Sequence, residues 1–178
     1  EIGARPVWLA ASTRDGEEAR ILDALLALEL PGVLLILVPR HPQRFEDVAA
    51  LVMSHGMALK RRSLEEFPQA DTQVWLGDSM GEMASYYAAA DLALIGGSLL
   101  PYGGQNLIEA AACGCPTIVG EHTFNFAQAT DDAVACGAAI RISGPEALAA
   151  TVQTILANPE TRINMKEKAI AFSQTHQG

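Results

Sequence analysis

The sequence has little positive charge and no long apolar segment. Its 178 residues include 12 Lys and Arg against 21 Asp and Glu, a formal net charge of −9. This balance argues against nucleic acid or an anionic bilayer as the partner of most of the surface. The apolar runs, such as Leu34 to Val38, are far shorter than the roughly 18 residues that a membrane span needs. We therefore expect a soluble domain that neither binds nucleic acid nor spans a membrane.

The sequence also lacks a metal-binding pattern. Its three cysteines are Cys113, Cys115 and Cys136, and the Cys-x-Cys pair has no second ligand pair at zinc spacing. No Asp-x-Asp pair that could hold a divalent ion is present. We expect reduced and buried cysteines, as in a cytosolic protein, with no metal and no other cofactor.

No signal peptide opens the chain, which begins Glu1-Ile-Gly-Ala-Arg-Pro and reaches a predicted strand at Val7. We expect residues 1–178 to be one domain excised from a longer protein. At this length a domain can bury roughly 70% of its unfolded surface.

Short apolar runs alternate with segments of helical periodicity, which predicts an α/β fold. The predicted strands are Val7–Ala11, Val33–Val38, Met57–Lys60, Val74–Leu76, Leu92–Ile95, Thr117–Val119 and Ala138–Ile142. The predicted helices are Gly16–Leu30, Gln43–Ser54, Gly81–Ala90, Asn106–Cys113, Phe126–Cys136, Glu146–Ala157 and Glu160–Ser173. We expect a Rossmann-like parallel sheet with helices on both faces.

A glycine-rich turn follows the fifth predicted strand and leads into an Ala-rich helix. It contains Gly97, Ser98, Gly103 and Gly104, but neither a P-loop nor a G-x-G-x-x-G fingerprint is present. Backbone N–H groups in such a turn, together with the helix dipole, favour a phosphate. Tight turns alone also use glycine, although two Gly-Gly pairs exceed what one turn requires.

Asn106 and Glu109 begin the helix after this turn. Asn106 can cap it, and Glu109 lies where a carboxylate could reach the hydroxyls of a ribose. However, Asn106-x-x-Glu109 also fits a capping box, in which the glutamate only returns a hydrogen bond to the backbone. From the residues alone, both interpretations of Glu109 stay open.

Other polar motifs follow predicted strands and should converge on the same edge of the sheet. Ser12, Thr13 and Arg14 follow the first strand and could contact a phosphate or a carboxylate, although Thr13 and Asp15 could equally cap the next helix. The remaining candidates are Arg40 and His41 after the second strand, and Met80, Gly81 and Glu82 after the fourth. Arg40 can pair with phosphate through two hydrogen bonds, although it could equally be a solvated surface arginine. Glu82 could equally belong to the N-terminus of a helix without a role in binding.

Five blocks in this order resemble the C-terminal domain of Kdo (3-deoxy-D-manno-octulosonic acid) transferases, which are GT-B glycosyltransferases. The blocks are Val7–Glu18, Val38–Phe45, Leu76–Met83, Gly96–Glu109 and His122–Phe126, and they extend over most of the chain. The resemblance implies that this domain binds CMP-Kdo, with Glu109 at the ribose and Met80-Gly81-Glu82 near the base and sugar. It also implies that Asn125 and Phe126 shape the donor cleft, whereas from the residues alone they could simply cap a helix.

For the whole enzyme, the resemblance implies inverting transfer of Kdo to the lipid A precursor at the cytoplasmic face of the bacterial inner membrane. The general base, the acceptor site and the membrane contact would lie in an N-terminal domain, so that no catalytic residue is expected here. The last helix commonly crosses to that domain in GT-B proteins and should then lack its docking surface. Alternatives are a transferase or epimerase that uses a UDP-sugar, and a non-catalytic nucleotide-binding module.

The sequence departs from the family at four positions of the glycine-rich block. Tyr102 replaces the usual Arg, Gln105 a His, Ala110 a Pro and Cys115 a Lys. Gln105 keeps a donor and an acceptor but cannot become charged. These changes bear on donor affinity and sugar contacts more than on the fold.

Overall fold

A computed structural model describes residues 4–176, which form a seven-stranded parallel sheet of order β3-β4-β2-β1-β5-β6-β7. The predicted domain limits of 1 and 178 lie outside the described residues. The strands are β1 (Val7–Thr13), β2 (Leu34–Pro39), β3 (Leu59–Arg61), β4 (Val74–Leu76), β5 (Leu92–Ile95), β6 (Thr117–Val119) and β7 (Ala139–Arg141). The helices are α1 (Glu17–Ala27), α2 (Phe45–Ser54), α3 (Met83–Ala89), α4 (Ile108–Ala112), α5 (Ala127–Cys136), α6 (Leu148–Leu156) and α7 (Pro159–Thr175). The predicted fold class is thus confirmed.

The central strands are apolar, apart from Ser12 and Thr13 at the end of β1, because helices cover both faces of the sheet. Side chains alternate between the faces along a strand. In β1, Trp8 and Ala10 therefore pack with residues of α1, α2 and α6. Leu9 and Ala11 instead share a core with residues of α3 and α4.

The strand order reverses at β1, which lies between β2 and β5. The connections from β1 to β2 and from β4 to β5 therefore run in opposite directions across the sheet. Such a switch point leaves a crevice at the carboxyl ends of the two central strands. This crevice lies between the segment after β1 and the glycine-rich turn after β5.

Helix α7 packs on this domain, contrary to the expectation that it would lack a docking surface. It contacts α4, α5 and α6 and buries Met165, Ala169 and Phe172. Asn158 caps it by accepting a hydrogen bond from the Thr161 N–H at 3.3 Å, and Pro159 occupies its first turn. Among residues 4–176, no helix is both long and apolar enough to cross a bilayer.

Candidate functional site

The end of β1 is bulged and closely packed. Ser12 has a φ of 58°, and the pairing with β2 shifts register between Ala11 and Thr13. Gly96, at the end of β5, lies so close to this bulge that a Cβ atom there would come within 3.0 Å of the Ala11 and Ser12 carbonyl oxygens. The first and fifth strands are therefore in backbone contact where the crevice opens.

Thr13 and Arg14 differ in their access to the crevice. Thr13 belongs to β1 rather than to the turn after it, is fully buried, and donates from its hydroxyl to Glu18 at 2.7 Å. The alternative in which Thr13 or Asp15 caps α1 is wrong, because Gly16 occupies the N-cap position without a side-chain hydrogen bond. Arg14 is partly exposed, and its guanidinium lies 4.4 Å from the centre of the Tyr102 ring.

Arg40 is exposed at the end of β2, and its guanidinium has no hydrogen-bond or ion-pair partner among residues 4–176. Its backbone N–H donates to the Thr13 carbonyl at 2.9 Å, which ties it to β1. His41, which is half-buried, begins the next short helical turn. The neighbouring Arg44 is committed to Glu18, at 2.8 Å and 2.9 Å. The backbone of Arg40 is thus held against β1, while its guanidinium is free.

The segment after β4 lines a small cavity of about 70 Å³ together with Ser12 and Arg40. Residues 79–83 of this segment contribute to its wall. Ser79 donates to Glu82 and lies 2.8 Å from the Tyr86 hydroxyl. The hydrogen bond from Ser79, together with the Arg62 guanidinium 3.3 Å from the Glu82 carboxylate, holds the pKa of Glu82 below its usual range. Met80 is 63% exposed, and Gly81 has a left-handed φ of 77°.

Asp78, the second residue after β4, connects this segment to residues 61–63. It is buried and accepts hydrogen bonds from the Ser63 backbone N–H at 2.7 Å, the Ser63 hydroxyl at 2.6 Å and the Arg61 Nε at 2.8 Å. Burial acts to raise the pKa of Asp78, but these hydrogen bonds and the charge of Arg61 outweigh it, so that the pKa is lowered. Arg61 also pairs with Glu46 and is therefore a structural cation.

Most N–H groups in the first part of the glycine-rich turn are not free. The Gly97 amide donates to the Glu17 carboxylate at 2.8 Å, and the Leu99 amide donates to the same group at 3.0 Å. Ser98 is buried, and its hydroxyl donates to the Ile95 carbonyl while it accepts from the Gly120 amide. The expected anion contact of the Gly97 amide is therefore occupied by a side chain of the protein itself.

Sequence reasoning missed Glu17 and Glu18, which are both fully buried. Their position in the first turn of α1 is ordinary for solvated carboxylates that favour the helix dipole. The only signal was the acidic pair directly after a glycine, and it does not reveal burial. Burial raises the pKa of Glu17, and the backbone hydrogen bonds that it accepts counteract this rise only in part.

The second part of the turn is more open. The Gly104 amide donates to the Gly97 carbonyl at 3.0 Å, whereas the amides of Gln105, Asn106 and Leu107 have no acceptor among residues 4–176. Gly103 packs against Asn125, whose side-chain amide donates to the Tyr102 carbonyl at 3.2 Å. Asn125, which the resemblance implies shapes the donor cleft, thus contacts the turn.

Helix α4 starts at Ile108, two residues later than predicted. Asn106 accepts from the Ile108 amide at 3.0 Å, so that it does satisfy one N–H group at the helix start. Glu109 is exposed, and its carboxylate accepts no hydrogen bond among the described residues. The capping-box alternative for Glu109 is therefore not formed, and its side chain is free for a ligand.

The predicted site residues differ in how far the protein itself occupies their polar groups. Four have side chains without a hydrogen-bond or ion-pair partner among residues 4–176: Ser12, Arg40, His41 and Glu109. Met80 and Gly81 line the small cavity beside Arg40. The protein at least partly occupies the functional groups of the others: Thr13, Arg14, Glu82, Gly97, Ser98, Gly103, Gly104 and Asn106. Within residues 4–176, no three His, Cys, Asp or Glu side chains lie close enough to share a metal ion.

Comparisons with known proteins give the family. The family model described as "Glycosyl transferases group 1" matches residues 53–172. A 3-deoxy-D-manno-octulosonic acid transferase from Bordetella pertussis is 48% identical over 98% of this chain, which spans 42% of that protein. One from Haemophilus influenzae is 44% identical over 89% of this chain and 38% of its own length.

A solved structure shows the same relationship. The C-terminal CMP-Kdo binding domain of WaaA from Acinetobacter baumannii is 34% identical and superposes with a TM-score of 0.92, over 97% of this chain and 91% of that domain. The fold of this chain is thus that of the C-terminal half of a GT-B glycosyltransferase. The chain therefore belongs to the group 1 glycosyltransferases, as a C-terminal domain of the 3-deoxy-D-manno-octulosonic acid transferase family.

Proposed function

We propose that this domain binds CMP-Kdo as the donor half of a Kdo transferase. The observation that carries the proposal is the pairing of a free cation, Arg40, with a free carboxylate, Glu109, on the two sides of the β1–β5 switch point. A cation suits the phosphate of CMP, and a carboxylate suits the two hydroxyls of its ribose. The relatives support this choice of donor, because the matched WaaA domain is described as binding CMP-Kdo.

The protein's task at this site is electrostatic. As the bond between Kdo and the phosphate breaks, negative charge builds on the departing CMP. Arg40 and the unpaired amides of Gln105, Asn106 and Leu107 can stabilise this charge. Because the charge is larger in the transition state than in the bound donor, they stabilise the transition state more than the ground state. In this mechanism these groups need no metal ion to assist them.

The complete enzyme would transfer Kdo to the lipid A precursor at the cytoplasmic face of the bacterial inner membrane. The chain spans less than half of its full-length relatives, so the proposal assigns the acceptor site, the membrane contact and the general base to the remainder of the protein. By itself, this domain is expected to bind the donor without turning it over.

We expect the chain to bind CMP in preference to UMP, UDP and ADP, equally well with and without EDTA. The preference follows from the proposed donor, CMP-Kdo. Binding to this domain is expected because the nucleotide site lies at the switch point within it, whereas the sugar contacts of a GT-B enzyme are shared between two domains. Titration calorimetry with the four nucleotides measures the preference. UDP binding as tight as CMP would favour a UDP-sugar enzyme, and binding of none would leave no nucleotide site here.

Glu109→Gln should weaken CMP binding by about 1–3 kcal/mol, because it removes the charge and one of the acceptor oxygens facing the ribose. The free energy of unfolding should change by only about 0.5 kcal/mol, since Glu109 makes no capping hydrogen bond. Thermal melting with and without CMP measures both quantities on one sample.

Glu160→Gln is the matched control, because Glu160 is an exposed glutamate in the first turn of α7. It loses the same favourable interaction with a helix dipole but lies on another helix. A Glu109→Gln protein that melts lower than this control, yet shows the full stabilisation by CMP, would return Glu109 to a structural role.

A further inference from the structure

The Glu17 carboxylate is the most highly coordinated side chain near the crevice. It accepts backbone N–H groups from Arg14 at 2.9 Å, Gly97 at 2.8 Å, Leu99 at 3.0 Å and Leu100 at 3.3 Å. Three of these donors, the amides of Gly97, Leu99 and Leu100, lie 80, 82 and 83 residues further along the chain, in the turn after β5. One buried carboxylate thus connects the turn after β1 to the glycine-rich turn.

Such burial is costly unless the charge is paired or well hydrogen-bonded. Glu17 has no cationic partner among the residues 4–176, and its acceptor sites are satisfied by main-chain amides alone. These amides would otherwise lie unpaired in a buried turn, at comparable cost. The carboxylate and the turn therefore depend on each other, and neither is satisfied when the other moves.

The adjacent Glu18 makes a different set of contacts. It accepts hydrogen bonds from the Thr13 hydroxyl and from the Arg44 guanidinium, and none from the turn after β5. Equal burial of two neighbouring glutamates thus serves two separate functions. Of the two glutamates, Glu17 is the one that holds the chain segment that continues, through Gly104, to the open amides and to Glu109.

We propose that Glu17 is a positioning residue for the donor site, an internal anion that fixes the Gly97–Leu100 turn before any nucleotide arrives. It acts through the turn and touches no substrate. Within the turn, the Gly97 carbonyl accepts a hydrogen bond from the Gly104 amide at 3.0 Å. The position of Gly97 therefore also restrains residues 104–109. The inference rests on the proposed nucleotide site for its effect on binding, but the hold on the turn is independent of it.

Amide hydrogen exchange on the unmodified chain tests the hold first. The amides of Gly97, Leu99 and Leu100 should be protected in the nucleotide-free protein, whereas those of Gln105 and Asn106 should exchange rapidly. Equal, rapid exchange in both sets would overturn the inference, and this measurement needs neither a variant nor a ligand.

Glu17→Gln tests the consequence for binding. Glutamine keeps one oxygen but turns an N–H donor toward main-chain amides, so that exchange at Gly97 and Leu99 should accelerate by about 10-fold or more, and CMP affinity should fall by about 10-fold. In Glu17→Ala, added formate or acetate should restore part of both, because a small carboxylate fits the vacated acceptor position.

Asp91→Asn is the matched control, since Asp91 accepts the Val7 amide at 2.8 Å at the opposite end of the sheet. It should lower stability without changing either loop exchange or CMP affinity. A Glu17→Gln protein with faster loop exchange but unchanged CMP affinity would overturn the positioning role. Absence of CMP binding in the unmodified chain would refute the proposed function instead, while the exchange result would still decide whether Glu17 holds the turn.

Discussion

Gly96→Ala should destabilise the domain by about 4 kcal/mol or more. A Cβ atom at this position would overlap the carbonyl oxygens of Ala11 and Ser12, closer than 3.0 Å. The obstruction is backbone on a bulged strand, so no side-chain rotation can relieve it. The two central strands would have to separate where the crevice opens. Urea unfolding measures the loss directly.

Gly32→Ala provides the control for this substitution. Gly32 has a left-handed φ of 79°, and a Cβ atom there would meet nothing within 4 Å. Alanine at Gly32 therefore carries only the conformational cost of a left-handed residue, about 1–2 kcal/mol. If Gly96→Ala unfolds at the same urea concentration as Gly32→Ala, the close approach of β5 to the β1 bulge is incorrect.

Arg40→Ala is expected to weaken CMP binding by about 10- to 100-fold, because it removes a charge-assisted contact to the phosphate worth about 1.5–3 kcal/mol. The exposed guanidinium has no partner among residues 4–176, so the free energy of unfolding should remain within about 0.5 kcal/mol of the unmodified value. Loss of binding without loss of stability would locate the phosphate at the end of β2. Titration calorimetry and thermal melting together measure the two quantities.

Arg20→Ala is the matched control for the charge itself. Arg20 is also exposed, but it lies in a groove between α1 and the segment before α6, with Pro145 and Glu146. Removing it changes the net charge equally and should leave CMP affinity unchanged. Equal losses for the two variants would mean that Arg40 acts only through the overall field, and unchanged affinity for Arg40→Ala would make it a surface arginine.

The departure at Tyr102 has a structural explanation that the sequence did not suggest. Its ring stacks against the Arg14 guanidinium at 4.4 Å, and its hydroxyl donates to the Asp15 carbonyl at 2.8 Å. An arginine at position 102, which the resemblance gives as usual for the family, has no aromatic ring to make this contact and would bring two like charges together. In this chain, Tyr102 therefore orients Arg14 at the mouth of the crevice while replacing a second cation.

The fold was predictable because it depends on periodic patterns within short segments. All seven strands and seven helices appear near their predicted positions. Short apolar runs such as Leu92–Ile95 are typical of strands covered on both faces, and the helical repeats between them provide the cover. The convergence of polar residues at one edge followed from the parallel arrangement itself.

The amino-acid sequence by itself thus determined the α/β class, the family and the edge of the sheet where the polar residues meet, because local periodicity and dispersed motifs carry that information. Only the tertiary structure decided which polar groups remain free. Glu17 and Gly97 are 80 residues apart, and their contact exists only after β1 and β5 pair. Burial of Thr13 and Ser98, docking of α7 and release of Glu109 from a capping role likewise depend on packing between distant segments, which no short sequence pattern encodes.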